Sequence, residues 1–332
     1  MSLHSQESAT LQKNAHTLVD FCAGVTKGEK VVLIFDNTTR VIEPYLRAAA
    51  DTVTDTVTIV YMDACSMHGV EPPGNVVAAM EEADVILALT RSSLAHTDAR
   101  FRATNRGARY LSLPQYGVEQ LSKPSLSVDF ITAAEQGKML KAILSNARHV
   151  VITTARGTHL ELSAKGRTAN WAPGYCHEPG MLGSPPDIET NVAPVEHMSR
   201  GVIVVDGSIP CEALGLLKES VRLTVADGCI TDFDTNAEGV WLQKLIEEKP
   251  DEKRKVLAEF GIGLNPEARL CGLMLEDEGA LGTVHFGFGS NATIGGANKT
   301  DFHLDMVVRE PTVEVDGVRI MEKGSLVLPS HL

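Results

Sequence analysis

The stretch Lys30–Arg40, KVVLIFDNTTR, decides the reading of the first half of the chain. An apolar run without alternation, ending in a polar turn, reads as a strand buried on both faces. Three similar runs follow: Val57–Met62 (VTIVYM), Asp84–Leu89 (DVILAL) and Arg109–Leu113 (RYLSL). Between them Val41–Ala50, Val76–Glu82 and Ala99–Arg106 carry helical patterning. Buried strands separated by helices predict a parallel sheet with helices on its faces. A leading helix is expected over Thr10–Gly24, and another over Asp129–Ala147, bridging to the second half. The turn after Phe35 is Asp36-Asn37-Thr38-Thr39-Arg40 rather than GxGxxG, so a dinucleotide site in this sheet has no support.

The texture changes near residue 148. HVVITTARGTHLELSAKG (149–166), GVIVVDGSI (201–209), VRLTVADGCITDFD (221–234) and PTVEVDGVRIMEKGSLVL (311–328) read as strands and hairpins, with Ala-Asp-Gly and Val-Asp-Gly turns. One helix is expected at about 237–248, preceded by a capping Asp234/Thr235 region. The segment Ala172–Pro194 is long, irregular and rich in Pro and Gly, a pattern often tied to function. The expected fold class is α/β: a parallel-sheet α/β domain over 1–147, then a β-rich α+β metal-binding and catalytic domain over 148–332.

A net charge of −13 argues against binding nucleic acid and leaves no polybasic membrane patch. The six cysteines are scattered, without CxxC, and read as reduced thiols of a cytoplasmic protein. The N-terminus lacks the pattern of a secretion signal, and no run of 18 apolar residues exists.

Chemistry-bearing residues concentrate between 187 and 305. In Thr283–Gly289 (TVHFGFG), alternation places Thr283, His285 and Gly287 on one face, and the glycines permit close approach of backbone, ligand or metal. His303 and Asp305 are two apart in FHLDM, so on a strand both project the same way. Glu259 opens the alternating EFGIGLNP, and Glu189 lies in DIETNVAP. Glu276-Asp277-Glu278 stand just before the His285 strand. Imidazoles with carboxylates suit Zn, Mn, Co or Fe(II), as one ion or two. Taken alone, each element has a bland alternative: a solvated HxD pair, a solvated acidic turn at 276–278, a strand-edge charge at Glu259. Their combination on glycine-flanked strands is what points to a metal.

The succession DIETNVAPVE…GVIVVDGS, EFGIGLNP, EDEGALGTVHFGFGSN and DFHLDMV resembles metallopeptidases of the aminopeptidase T and aminopeptidase S type, over nearly the whole chain. The resemblance implies a two-metal site held by Glu189, Glu259, Glu278, His285, His303 and Asp305, with Glu259 bridging. It implies a metal-dependent hydrolase in which Zn, Mn or Co, two ions in all, activate water against an amide. Glu259 and Glu278 are the catalytic carboxylates on this reading, and a homodimer is expected. The peptidases carry a tyrosine a few residues past the strand histidine, whereas FGFGSNATIGG has none. The shorter chain fits a small-molecule substrate beside a short peptide.

A second branch of the same fold, the dihydroxypyridine ring-opening dioxygenases, is similar in GYCHEPG (174–180) and GGANKTDFHLDMVV. It implies one Fe(II) held by two histidines and an aspartate. His303 and Asp305 match two of these ligands, the other histidine falls at Glu259, and His285 is the candidate to replace it. This mononuclear Fe(II) dioxygenase is the alternative reading. Further substrate contacts are expected from His96 and from His177 and Glu178, against the plainer alternative of exposed loop residues. Trp171 and Tyr175 are expected to pack.

Overall fold

A computed structural model describes residues 3–65 and 67–328. It is a mixed α/β protein with one parallel and two antiparallel sheets. Contacts group the chain into two units, Met1–Phe130 with Pro173–Pro186, and Ile131–Ala172 with Asp187–Leu332.

The first unit begins with α1 (Leu3–His16), which runs into a π-helical turn at Thr17–Cys22 where sequence suggested one helix over Thr10–Gly24. It continues through β1 (Val31–Asp36), α2 (Glu43–Asp51), β2 (Val57–Met62), α3 (Gly74–Glu82), β3 (Val85–Leu89), α4 (Asp98–Asn105), β4 (Arg109–Ser112) and α5 (Val118–Leu121). These boundaries fall within two residues of the apolar runs. β1 and β3 are buried at every position because they lie inside the sheet, while β2 is an edge strand and half exposed. Val31 pairs with Val57 on one side and Val85 on the other, all in parallel. Val32, Ile34, Ile86 and Ala88 pack against Val76 and Met80 of α3 and Ala99 and Ala103 of α4.

The second unit opens with α6 (Phe130–Asn146), then β5 (His149–Thr153), β6 (His159–Ser163) and β7 (Asn170–Ala172). The chain then gives β8 (Leu182–Gly183) to the parallel sheet, whose order is β2-β1-β3-β4-β8. Next come β9 (Glu189–Val192), β10 (Arg200–Val205), β11 (Ser208–Ile209), β12 (Gly215–Leu216), β13 (Val221–Ala226), β14 (Cys229–Phe233) and α7 (Ala237–Ile246). β15 (Leu257–Gly263), α8 (Met274–Glu278), β16 (Thr283–Gly289), β17 (His303–Arg309), β18 (Thr312–Val315), β19 (Val318–Glu322) and β20 (Ser325–Leu326) complete it.

Two antiparallel sheets result, ordered β14-β13-β10-β6-β5-β18-β19-β20 and β12-β11-β17-β16-β15-β9-β7. The expected Asp-Gly turns close β13–β14 and β18–β19. Asp227 and Gly228 have φ of 48° and 74°, and Asp316 and Gly317 have 48° and 82°, the left-handed pair a tight hairpin demands. The cap of α7 is Asn236, whose side chain accepts from the Gly239 N–H at 2.8 Å; Asp234 instead braces the turn ahead of it through the Thr235 N–H. Among the described residues, no helix is long and apolar enough to cross a membrane.

Candidate metal centre

The candidate site lies on one face of the seven-stranded sheet, where the antiparallel register decides who meets whom. Glu259 pairs with Gly287, and Gly287 pairs with Asp305. Gly261 sits between Asn191 and His285, Gly263 faces Glu189, and Gly289 faces His303. Paired residues of neighbouring strands share a face. Side-chain donors therefore alternate across the strands with glycines that give them room. A methyl group at Gly287 would lie 2.8 Å from Asp305 Oδ1, Glu259 Cβ and His303 Cε1. One at Gly261 would overlap the His285 ring. Glu259 is thus not an edge charge: β15 is flanked by β9 and β16 and is buried throughout.

Glu259 spans the centre. Its Oε1 lies 3.8 Å from His285 Nε2, and its Oε2 lies 3.3 Å from His303 Nε2. Glu189 Oε2 approaches His285 Nε2 at 3.0 Å, and Asp305 Oδ2 approaches His303 Nε2 at 3.2 Å. Two groups of ligand atoms follow, Glu189–Glu259–His285 and Glu259–His303–Asp305, the atoms of each within 4.8 Å of one another. His285 falls with Glu189 and Glu259 and does not join His303 and Asp305 in a ligand group. Glu278 stands in neither group, although the charges of Asp305 and His285 act on its carboxyl.

Outer contacts orient these ligands. The Ser290 carbonyl lies 2.8 Å from His303 Nδ1. A carbonyl only accepts, so Nδ1 carries a proton and Nε2 is the nitrogen turned toward the carboxylates. Asn191 Nδ2 donates to Glu189 Oε1 at 2.7 Å, leaving Oε2 toward the centre.

The donor set fits a divalent cation. Asp305 Oδ1, Glu278 Oε1 and Asp187 Oδ1 are buried without a hydrogen-bond partner. So many orphaned acceptors in one place are unusual in a folded protein and mark a missing positive partner. Burial, and then Asp305, push the Glu278 carboxyl well above the usual range; burial and Glu189 do the same to Asp187. Burial acts against charging either imidazole, yet Glu189 for His285 and Asp305 for His303 outweigh it and lift both well above an ordinary histidine. Glu259 is also pushed up by burial, but the two imidazoles beside it hold it at about 2.

Asp187 is the buried carboxylate that sequence reasoning passed over; its signal was its place two residues before Glu189 in PPDIET. The acidic run at 276–278 is not a solvated turn. It forms α8, with Asp277 fully buried and accepting from the Cys271 and Gly272 N–H groups at 2.7 and 2.8 Å. His96, His177 and Glu178 belong to the first unit. His96 and Glu178 are exposed. The His177 ring stacks on Tyr175 at 4.2 Å between centroids, with Nε2 2.7 Å from the Phe21 carbonyl. Trp171 packs against Gly137 and donates to the Ala134 carbonyl at 2.9 Å. Among the described residues no disulfide joins the six cysteines.

The family model for 2,5-dihydroxypyridine 5,6-dioxygenase (NicX) matches residues 15–328. The chain is 25% identical over 272 residues to 2,5-dihydroxypyridine 5,6-dioxygenase of Pseudomonas putida KT2440, covering 78% of this chain and 75% of that one. Among solved structures, the 2,5-dihydroxypyridine dioxygenase of Pseudomonas putida KT2440 superposes with a TM-score of 0.82 at 22% identity, covering 98% of each chain. Wild-type AmpT from Thermus thermophilus gives 0.70 at 16% identity, covering 96% of this chain and 99% of that one. At those identities the two structures speak for the fold. The hydrolase reading of the sequence is corrected here: the match over 15–328 is to a dioxygenase family, and the peptidase likeness is one of fold. The ligand residue types misled because carboxylates and imidazoles serve hydrolytic and oxidative metals alike.

Proposed function

We propose, from the premise that this chain belongs to the 2,5-dihydroxypyridine 5,6-dioxygenase family, that it is a metal-dependent dioxygenase opening a small hydroxylated aromatic ring of the dihydroxypyridine kind. The observation that carries the proposal is the family match along almost the full chain. The site supports it by chemistry, since nitrogen and carboxylate donors with buried orphaned oxygens suit Fe(II).

Glu259, His303 and Asp305 would hold the iron. Bound Fe(II) supplies the redox chemistry through which oxygen reacts with an electron-rich ring. The chain's own residues orient and hold protons. Ser290 O keeps a proton on His303 Nδ1. The glycines at 261 and 287 leave room for the His285, Glu259, His303 and Asp305 side chains to gather on one face. Glu278 Oε1, buried and unpartnered, is the proposed site of proton exchange with a substrate hydroxyl. The set has one imidazole and two carboxylates, with Glu259 where the dioxygenase resemblance would place another histidine. Glu189, Glu259 and His285 form a second position, and a second divalent ion there is the finer proposal.

The test is disappearance of 2,5-dihydroxypyridine by the Fe(II)-loaded chain, followed by absorbance with and without oxygen. Loss of substrate only with oxygen supports the reading; equal loss in strictly anaerobic solution overturns it.

A further inference from the structure

The loop between β16 and β17, residues 290–302, reads SNATIGGANKTDF, mostly the composition of a solvated turn. Two of its asparagines are nevertheless buried, Asn291 completely and Asn298 to 8% exposure. Buried amides raise the cost of an imperfect network, so their placement calls for a reason.

The two clasp one another. Asn298 N donates to Asn291 Oδ1 at 2.8 Å, and Asn291 N donates to the Asn298 carbonyl at 3.0 Å. Asn298 Nδ2 donates to the carbonyls of Gly289 at 2.6 Å and Lys253 at 2.8 Å. Asn291 Nδ2 and the Ala297 N–H both donate to Glu196 Oε1, at 3.0 and 2.8 Å, and Glu196 pairs with Arg167. The clasp therefore fixes the backbone on both sides of Ser290, whose carbonyl accepts a hydrogen bond from His303 Nδ1. His303 needs such support. Its side chain is 33% exposed against 1% for His285, so packing alone does not hold its ring. The same loop reaches the other ligand group: Asn170 Nδ2 donates both to the Ile294 carbonyl at 3.2 Å and to Asn191 Oδ1 at 2.9 Å, and Asn191 holds Glu189.

We infer that the Asn291–Asn298 clasp is a positioning device for the metal centre, with Asn298 setting the His303 ring through the Ser290 carbonyl and Asn170 extending the same loop to Glu189. This rests on the metal reading above. Outer contacts of this kind typically change metal affinity by roughly 10–100-fold.

The probe is Co(II) alone, titrated into metal-free full-length chain and followed by its visible d–d bands. Three variants are compared with the parent: Asn298→Ala, Asn170→Ala and Asn236→Ala. The last removes the cap of α7, outside the ligand groups, and controls for lost stability. The expected result is an affinity about 10-fold or more weaker, with altered band positions, in Asn298→Ala and Asn170→Ala, and parent behaviour in Asn236→Ala. Parent affinity and spectrum in a folded Asn298→Ala overturn the inference. If Asn298→Ala does not fold, by circular dichroism, parent behaviour of Asn170→Ala overturns it instead. Equal weakening in Asn236→Ala overturns it too, by showing general destabilisation. Failure of the parent itself to bind Co(II) strikes the metal reading rather than the clasp.

Discussion

Gly261 of β15 lies directly across the strand pairing from His285 of β16, so the imidazole rests over bare backbone. Any side chain at 261 would occupy the ring's place. Gly261→Ala is expected to displace His285 and weaken cation binding at Glu189–Glu259–His285. Overpacking at a buried site typically costs about 1–3 kcal/mol. Denaturant unfolding and Co(II) titration measure both effects; a variant with parent stability and parent binding contradicts the geometry.

Glu259 serves both ligand groups, one oxygen toward each histidine. Glu259→Ala is therefore expected to abolish metal uptake at both positions, as measured by elemental analysis after dialysis. Glu259→His is expected to behave differently, since with His303 and Asp305 it completes a two-histidine, one-carboxylate set suited to Fe(II). Retained iron in Glu259→His with lost iron in Glu259→Ala is the expected pattern. Retention in both would remove Glu259 from the centre.

Acid sensitivity should be visible at Glu196. Burial alone would raise this carboxyl, but the Ala297 N–H, Asn291 and Arg167 hold it at about 2, below its usual 4.5. A depressed folded pKa stabilises above the unfolded value and loses that contribution as pH falls. Stability tied to Glu196 is thus expected in full above about 4.5, fading toward 2. Urea midpoints measured across that window should fall less steeply in Glu196→Gln than in the parent; identical slopes contradict the assignment.

The α7 cap is a stability feature apart from the chemistry. Asn236→Ala is expected to cost about 1 kcal/mol, as loss of an N-cap usually does. Turnover at saturating metal should not change. A variant of parent stability would show that the Gly239 N–H finds another acceptor.

Much of this was legible in residue patterns. KVVLIF and VILAL, apolar without alternation, became the central strands β1 and β3. The Asp-Gly turns became left-handed hairpins. Glu189, Glu259, His285, His303 and Asp305 converge because alternation put each on the same face as its neighbours' glycines. What was not legible depends on distant partners. Asp277 looks solvated in EDE until the backbone of 271–272 is brought against it. Asp187 is buried, and only its place two residues before Glu189 hints at it. Glu259 in isolation fits an edge strand, and only the pairing of β15 with both β9 and β16 makes it central. Donor types at the ligand positions left hydrolysis and oxygenation undivided.

Isotope incorporation from labelled oxygen gas tests the central claim most directly. The account predicts that the ring-opened product formed under oxygen-18 gas in ordinary water carries both labelled atoms, by mass spectrometry. A product whose new oxygen comes from the water, with none from the gas, would contradict it.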